Sequence, residues 1–140
     1  MNREGYCLFK IIENKLATQG IHEFSYHELK DVDQETGGIT NITWPVADVR
    51  DLYDDDSNSL EDYEKKIDLA WELMQKYGRV VICCVAGISR SNAIAVGVLV
   101  KYGGMDFYDA WNLVEDRVPI ANINPGHISK LKKLFNVTLP

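Results

Sequence analysis

The chain has 140 residues, of which 46% are hydrophobic and 26% are charged, values that are ordinary for a soluble globular protein. This length suits one compact domain, and we expect residues 1–140 to form it. Lys and Arg number 15 against 21 Asp and Glu, and the net charge of −6 argues against broad binding to nucleic acid or anionic lipid. No apolar run reaches roughly 18 residues, so we expect no membrane contact, and we expect a monomer.

The cysteines and histidines do not suggest a metal site or a disulfide framework. Of the three cysteines, Cys83 and Cys84 are adjacent, and the odd number leaves one unpaired, which is typical of a reducing, cytoplasmic setting. Three cysteines and three histidines without zinc-finger spacing predict no metal, and we expect no other cofactor. The first ten residues lack a long apolar run, so we also expect no signal peptide.

The first third of the chain predicts two strands around a polar stretch. Residues 6–12 are predicted as an early strand, and residues 39–46, rich in β-branched and aromatic side chains, as a second. Between them, residues 21–35 are polar with a weak helical pattern. An acidic stretch follows the second strand, from Ala47 to Asn58.

The clearest predicted helix follows the acidic stretch. Apolar side chains recur there at spacings of three and four and make one face: Leu60, Tyr63, Ile67, Ala70, Trp71 and Met74. Ser59 and Asp62 form a capping-box pattern at its start, and Gly78 is its predicted end.

The second half of the chain predicts a buried strand and three helices. Residues 79–85 are almost continuously apolar, as in a central strand buried on both faces. Helices are predicted at about 92–102, at about 106–117 and from Asn124-Pro125 onward. The order helix, buried strand, tight loop, helix predicts an α/β fold with a central, mostly parallel sheet and helices on both faces.

The loop from Cys84 to Ser91, the cysteine loop, joins that strand to the next helix. Such a loop lies at the carboxyl end of a parallel strand and at a helix N-terminus, where unpaired amides attract anions. Gly87 would let the backbone turn its N–H groups inward, and the same amides would favour the thiolate of Cys84. Arg90 could grip two phosphate oxygens at once. The predicted phosphate-binding residues are Val85, Ala86, Gly87, Ile88, Ser89 and Arg90.

This C-x5-R pattern is the signature of the cysteine phosphatases, and about residues 59–131 resemble the dual-specificity phosphatase family. The matching pieces are Ala86-Gly87, Ser89-Arg90-Ser91, Tyr102 to Met105, Asp109-Ala110, Val114 and Pro119 followed by Asn124-Pro125-Gly126. The resemblance implies a protein-tyrosine-phosphatase-like fold and hydrolysis of phosphate monoesters without a metal. It implies that Cys84 is the nucleophile, that Arg90 holds the phosphate, and that the Ser91 hydroxyl helps the thiolate leave. It also implies that Asn124 braces the loop, although the same residue suits a helix N-cap.

Two features depart from the family pattern. The family has a histidine immediately before the nucleophile, and this chain has Cys83, which is either a small buried hydrophobe or a redox partner of Cys84. The family also has more strand and helix before its acid loop than residues 1–46 supply. His22, His27 and His127 occur singly, and we predict surface or packing roles for them.

A general acid is expected on another loop at the same edge of the sheet, because the leaving oxygen needs a proton. Asp48 directly follows the predicted strand 39–46, and Pro45 to Asp48 resembles the family's acid loop. Asp51 and the triplet Asp54, Asp55 and Asp56 remain alternatives.

The predicted substrates are phosphorylated proteins, with phosphotyrosine as the default and phosphoserine and phosphothreonine left open. No variable position of the cysteine loop is basic, which disfavours phosphoinositides. A non-catalytic, phosphate-binding relative of the family is the alternative function, because the family histidine is absent.

Overall fold

The structure is a computed structural model that describes residues 9–20 and 44–138. Its strands are β1 (Phe9–Ile12), β2 (Leu16–Gly20), β3 (Val46–Asp48) and β4 (Val80–Cys84), and its helices are α1 (Leu60–Tyr77), α2 (Arg90–Lys101), α3 (Phe107–Arg117) and α4 (Pro125–Leu134).

The four strands form one mixed sheet in the order β1-β2-β4-β3. β4 lies between β2 and β3 and runs parallel to both, whereas β1 pairs antiparallel with β2 at one edge. All five residues of β4 are buried, which explains why its sequence is apolar without alternation. The predicted α/β class, with a mostly parallel sheet flanked by helices, is confirmed.

Helix α1 begins and ends where the sequence predicts. The Ser59 hydroxyl accepts a hydrogen bond from the Asp62 N–H, and the Asp62 carboxylate accepts one from the Ser59 N–H, which completes the capping box. Gly78 ends the helix at φ 84°, a left-handed conformation that glycine adopts without steric cost. The fully buried residues of the helix are Tyr63, Ile67, Ala70 and Leu73, so Leu73 was missed, and Leu60, Trp71 and Met74 of the predicted face are only partly buried.

Helix α2 is the centre of the core. It packs against α1, α3, α4, β2 and β4, and its residues 91–99 are all buried. A Cβ on Gly97 would lie 2.3 Å from the Ile67 Cδ1 atom, so glycine lets α1 and α2 approach closely.

The structure corrects two predicted elements and adds one strand that was not predicted. The strand predicted over 39–46 begins only at Val46 and extends to Asp48; residues 44 and 45 precede it, and 39–43 lie outside the described residues. Pro45 has no N–H to donate to a ladder, although its carbonyl accepts the Val81 N–H at 2.9 Å. Strand β2 was not predicted at all. Helix α2 begins at Arg90, two residues early, because Ser89 is its N-cap.

Other predictions in the first third cannot be compared with the structure. The polar stretch 21–35 and residues 6–8 of the first predicted strand lie outside the described residues. Within the described part of the chain, no helix is long and apolar enough to cross a membrane.

Candidate active site

The carboxyl ends of three parallel strands meet at the edge of the sheet where the cysteine loop begins. Asp48 at the end of β3 is paired in register with Cys83, and Gly20 at the end of β2 is paired with Cys84. The strand that ends at Asp48 therefore runs parallel beside β4. This edge is where open α/β sheets place their ligands.

Cys84 and Ser91 face each other across the cysteine loop. The Cys84 Sγ atom lies 3.3 Å from the Ser91 hydroxyl oxygen and donates a hydrogen bond to it. Cys84 is 2% exposed and Ser91 is fully buried, so the pair is shielded except where the loop opens into a cavity.

Asn92, which the sequence analysis did not single out, supports the cysteine loop through side-chain hydrogen bonds. Its side-chain amide donates to the carbonyl oxygens of Gly87 and Ile88, each at 3.0 Å. Its own oxygen accepts a 2.7 Å hydrogen bond from the Thr18 hydroxyl on β2. In a trans peptide the N–H points opposite to the C=O, so the N–H groups of Ile88 and Ser89 point away from Asn92.

The loop is fixed at two further points. Gly87 adopts φ 74°, and a Cβ there would lie 2.7 Å from the Gly20 backbone nitrogen, so only glycine fits against β2. On the other side, the Asn122 N–H donates to the Ile88 carbonyl oxygen and the Asn124 N–H donates to the Ser89 hydroxyl, both at 2.9 Å. The backbone is thereby held in one shape before any ligand binds.

Arg90 connects the cysteine loop to the loop at 49–59 between β3 and α1, the acidic loop. Its Nη1 atom donates to the carbonyl oxygens of Arg50 at 2.8 Å and Leu52 at 3.0 Å. A guanidinium carries five N–H donors, so these bonds hold the group in place and leave others for an anion.

A cavity of about 510 Å³ opens above Cys84. It is lined by ten residues: Asp54, Cys84, Val85, Ala86, Ile88, Ser89, Arg90, Asn122, Asn124 and Pro125. All the predicted phosphate-binding residues except Gly87 are in this lining. The cavity thus joins the cysteine loop to one aspartate of the acidic loop and to the start of α4.

Asp48, the first candidate for the general acid, is not part of the cavity lining. Its two carboxylate oxygens accept hydrogen bonds from Arg50 at 2.7–3.1 Å, and this contact raises the pKa of Arg50. The carboxylate is therefore already engaged by a cation on its own loop.

Asp54 is the carboxylate that lines the cavity, and it is held from two sides. Its Oδ1 atom lies 2.8 Å from His127 Nε2, and its backbone oxygen accepts a 2.8 Å hydrogen bond from the Asn124 side chain. Asn124 also caps α4 by accepting from the Gly126 N–H, as the sequence suggested, whereas its side-chain amide contacts the acidic loop and not the cysteine loop. His127 is fully buried, so the surface role considered for it is wrong.

Cys83 lies on β4 directly before the cavity and is fully buried. Successive side chains of a strand point to opposite faces, so Cys83 points away from Cys84. Burial raises the pKa of the Cys83 thiol well above its usual value, and Asp48 and Cys84 raise it further. A thiol that stays protonated is a poor partner for an oxidised Cys84, and both cysteines are free in the structure.

Among residues 9–20 and 44–138, no three His, Cys, Asp or Glu side chains are grouped as metal ligands would be. His22 and His27 lie outside these residues. The chemistry that the described groups can support is that of a thiol, a guanidinium, a hydroxyl and a carboxyl group around one cavity.

Comparison with known proteins identifies the family of the chain. A family model described as dual specificity phosphatase, catalytic domain, matches residues 12–137. The match covers most of the chain, and the chain belongs to the dual specificity phosphatase family. The resemblance noted in the sequence is therefore confirmed.

The relatives with similar sequences are longer proteins. Human dual specificity protein phosphatase 21 is 34% identical over 103 residues, which cover 71% of this chain and 52% of the relative. Dual specificity protein phosphatase 1B of Arabidopsis thaliana is 42% identical over 62 residues, which cover 44% of this chain and 37% of the relative. The chain thus spans about half the length of the human relative.

Solved structures show the same fold at lower sequence identity. A variant of human DUSP28 superimposes with a TM-score of 0.72 at 20% identity, over 93% of this chain and 94% of that one. The human tyrosine phosphatase-like serine/threonine/tyrosine-interacting protein gives a TM-score of 0.64 at 16% identity, over 93% and 96% of the two chains. These likenesses concern the fold alone.

Proposed function

We propose that this chain is a metal-independent protein phosphatase that hydrolyses phosphotyrosine through a phosphocysteine formed on Cys84. The observation that supports this most strongly is the cavity, which joins Cys84, Arg90 and a carboxyl group around a preformed loop. Phosphoserine and phosphothreonine are candidate further substrates, and the cytoplasm is the proposed compartment. The catalytic domain is proposed to comprise residues 1–140 and to act as a monomer.

In the first step, the Cys84 thiolate attacks phosphorus and the bond to the leaving oxygen breaks. Arg90 and the backbone N–H groups of the cysteine loop hold the other phosphate oxygens and stabilise their charge in the transition state. A carboxylic acid gives its proton to the leaving oxygen, so that phenol or alcohol departs rather than an anion.

In the second step, water attacks the phosphocysteine. The same carboxyl group, now ionised, takes a proton from water while the S–P bond breaks and phosphate is released. The Ser91 hydroxyl, 3.3 Å from Sγ, would donate to the departing thiolate. This is the role that the family resemblance implied for Ser91.

For the carboxylic acid, the geometry favours Asp54 over the first candidate, Asp48. Asp54 lines the cavity with Cys84, whereas both oxygens of Asp48 contact Arg50. Asp48 would have to release that guanidinium before it could protonate a substrate. Asp48 therefore becomes the second candidate.

The rim of the cavity suits an aromatic phosphate ester. Val85 and Ile88 line the cavity with 49% and 39% of their surfaces exposed, so an aromatic ring could cover apolar surface on its way to Cys84. Arg90 supplies the cationic side chain among the lining residues, and the carboxylate of Asp54 would repel a highly charged phosphoinositide headgroup.

A non-catalytic phosphate-binding protein is the alternative function. It is favoured by one observation: Cys83 stands where the family has the histidine that helps hold the thiolate, and Cys83 is buried as a neutral thiol.

Hydrolysis of p-nitrophenyl phosphate in the presence of a chelator separates the two functions. We expect turnover that vanadate blocks and that Cys84→Ser lowers by at least about 10⁴-fold, since no other described group replaces the nucleophile. Cys83→Ala is the matched control and should keep turnover within about 10-fold. Binding of phosphotyrosine without turnover from about pH 5 to about pH 8 would instead indicate the non-catalytic function.

A further inference from the structure

His127 is a fully buried histidine whose two ring nitrogens contact two different elements. Nε2 lies 2.8 Å from Asp54 Oδ1 on the acidic loop, and Nδ1 lies 2.6 Å from the Tyr63 hydroxyl on α1. The Tyr63 and His127 rings also pack edge to face, with centroids 5.7 Å apart. The side chain of Asp54 is half exposed, so the hydrogen bonds run from the core of the protein to the cavity.

The direction of these hydrogen bonds follows from Tyr63. Tyr63 is fully buried, and burial raises the pKa of its phenol, so the hydroxyl keeps its proton. The amide of Asn58 donates to the Tyr63 oxygen at 3.3 Å, which leaves the Tyr63 proton to be donated to His127 Nδ1. A neutral His127 then carries its own proton on Nε2 and donates it to Asp54 Oδ1.

We propose that His127 is a positioning residue for the acid–base step and that Tyr63, through His127, fixes the carboxyl group of Asp54 above Cys84. The inference rests on the proposed phosphatase function. It assigns a role to a histidine that the cysteine-phosphatase signature does not include.

The proton balance of the reaction is compatible with this arrangement. In the first step the Asp54 Oδ2 atom carries the proton and gives it to the leaving oxygen, while Oδ1 accepts from His127 Nε2. The resulting carboxylate keeps that hydrogen bond, and in the second step it takes a proton from the attacking water. His127 keeps its proton throughout and acts only by orienting Asp54 and stabilising its charge.

Among the described residues, Asp54 is the carboxylate that hydrogen-bonds to the His127 ring, and Asp55 lies close enough to interact with it electrostatically. Asp55, the next residue of the acidic loop, is fully exposed and accepts hydrogen bonds from Ser57. On α4, Gly126 lies against the acidic loop, because a Cβ there would lie 2.7 Å from the backbone carbon of Asp55. The start of α4 therefore packs directly on the acidic loop and sets its distance from the cavity.

The test compares two substrates that differ in leaving group, p-nitrophenyl phosphate and phenyl phosphate. Phenol is the poorer leaving group and depends more on the acid. We expect His127→Phe, which keeps an aromatic ring, to lower kcat/KM for phenyl phosphate by about 10–10²-fold and kcat/KM for p-nitrophenyl phosphate much less, because kcat/KM reports the steps up to departure of the leaving group. His127→Gln should restore part of the loss, because its amide can donate near the position of Nε2.

A double-mutant cycle then asks whether His127 acts through Asp54. If it does, His127→Phe has no further effect on kcat/KM once Asp54→Asn is present. Equal losses in the two backgrounds, or equal losses on both substrates, would show a merely structural role and overturn the inference. Glu72→Gln, at an exposed position of α1, is the matched control and should behave as the wild type.

Tyr63→Phe provides a second route, should His127 variants fold poorly. It removes only the hydroxyl, and we expect a smaller loss on phenyl phosphate together with a mixture of His127 tautomers. Imidazole ¹⁵N NMR of the wild-type protein should show the Nε2–H tautomer alone, and an Nδ1–H tautomer would overturn the inference without any assay. No turnover by the wild type would contradict the proposed function itself, whereas turnover without coupling overturns only the role of His127.

Discussion

The cysteine loop and the acidic loop meet at one cavity, but they are held in place by different kinds of interaction. The cysteine loop is fixed by groups near it in sequence and by its fit against β2, through Asn92 and Gly87. The acidic loop is fixed at its cavity end by residues some 70 positions away, Asn124 and His127. The contacts that fix the cysteine loop are encoded by a short sequence motif. The contacts that fix the acidic loop form only when α4 packs against it.

The difference matters for the assignment of roles. In the cysteine loop, the spacing of Cys84 and Arg90 between β4 and α2 is enough to assign their places. Five aspartates occur in and beside the acidic loop, and only the packing against α4 distinguishes Asp54 from the others.

The difference between the two loops is tested most strongly by removing each candidate acid in turn. We expect Asp54→Asn to lower kcat for phenyl phosphate by about 10²–10⁴-fold, the scale of general acid catalysis, and Asp48→Asn to lower it by less than about 10-fold. Steady-state kinetics on both variants measures this. If Asp48→Asn lowers kcat more than Asp54→Asn does, the general acid is Asp48, the first candidate of the sequence analysis. The packing of α4 then does not determine which aspartate is the acid.

Substitution of Arg90 tests the contact between the cysteine loop and the acidic loop. Arg90→Lys keeps the charge but loses the planar fork that reaches the Arg50 and Leu52 carbonyls, so we expect kcat/KM to fall by about 10²–10³-fold, as when an oxyanion donor is lost. Weaker inhibition by vanadate should accompany the fall. Arg117→Lys on α3 is the control, and equal effects of the two changes would contradict a special role for Arg90.

Asn92 tests how the cysteine loop is braced. Asn92→Ala removes two hydrogen bonds to loop carbonyls and leaves the buried Thr18 hydroxyl without its acceptor, so we expect a loss of about 2–3 kcal/mol in the free energy of unfolding. Urea denaturation gives the value. Asn112→Ala, at an exposed position of α3, should cost far less, and a similar cost for both would show that the brace adds nothing.

Substitution of Cys83 has the smallest expected effect, a change in how the free energy of unfolding depends on pH. Its pKa is raised in the folded protein, so above the ordinary thiol pKa the unfolded chain releases a proton that the native protein keeps. Stability should then fall by up to about 1.4 kcal/mol per pH unit above about pH 8.5. Cys83→Ala should flatten this fall between about pH 8.5 and about pH 10. An unchanged slope in the variant would contradict the buried, neutral thiol.

The sequence was informative wherever a short stretch determines its own structure. The Ser59 capping box, the Gly78 helix end and the buried strand before Cys84 follow from local patterns, and each was predicted. The cysteine loop belongs to the same class, since its glycine, cysteine and arginine lie within seven residues.

What the sequence could not provide depends on contacts between distant segments. β2 has the sequence LATQG, and its Thr18 and Gln19 are buried only because the strand lies between β1 and β4. His127 looked like an isolated residue because its partners, Asp54 and Tyr63, lie 73 and 64 positions away. The available signal for the role of His127 was its place as a polar residue just after a helix N-cap, at a position that faces the acidic loop.

The most direct test of the central proposal is to trap the phosphorylated intermediate. The Asp54→Asn variant should form phosphocysteine from p-nitrophenyl phosphate and hydrolyse it slowly, because water loses its base. Rapid acid quenching followed by peptide mass spectrometry should find one phosphoryl group on the peptide that contains Cys84. A turnover-competent protein with no such adduct, or with the phosphoryl group on another side chain, would contradict the proposal.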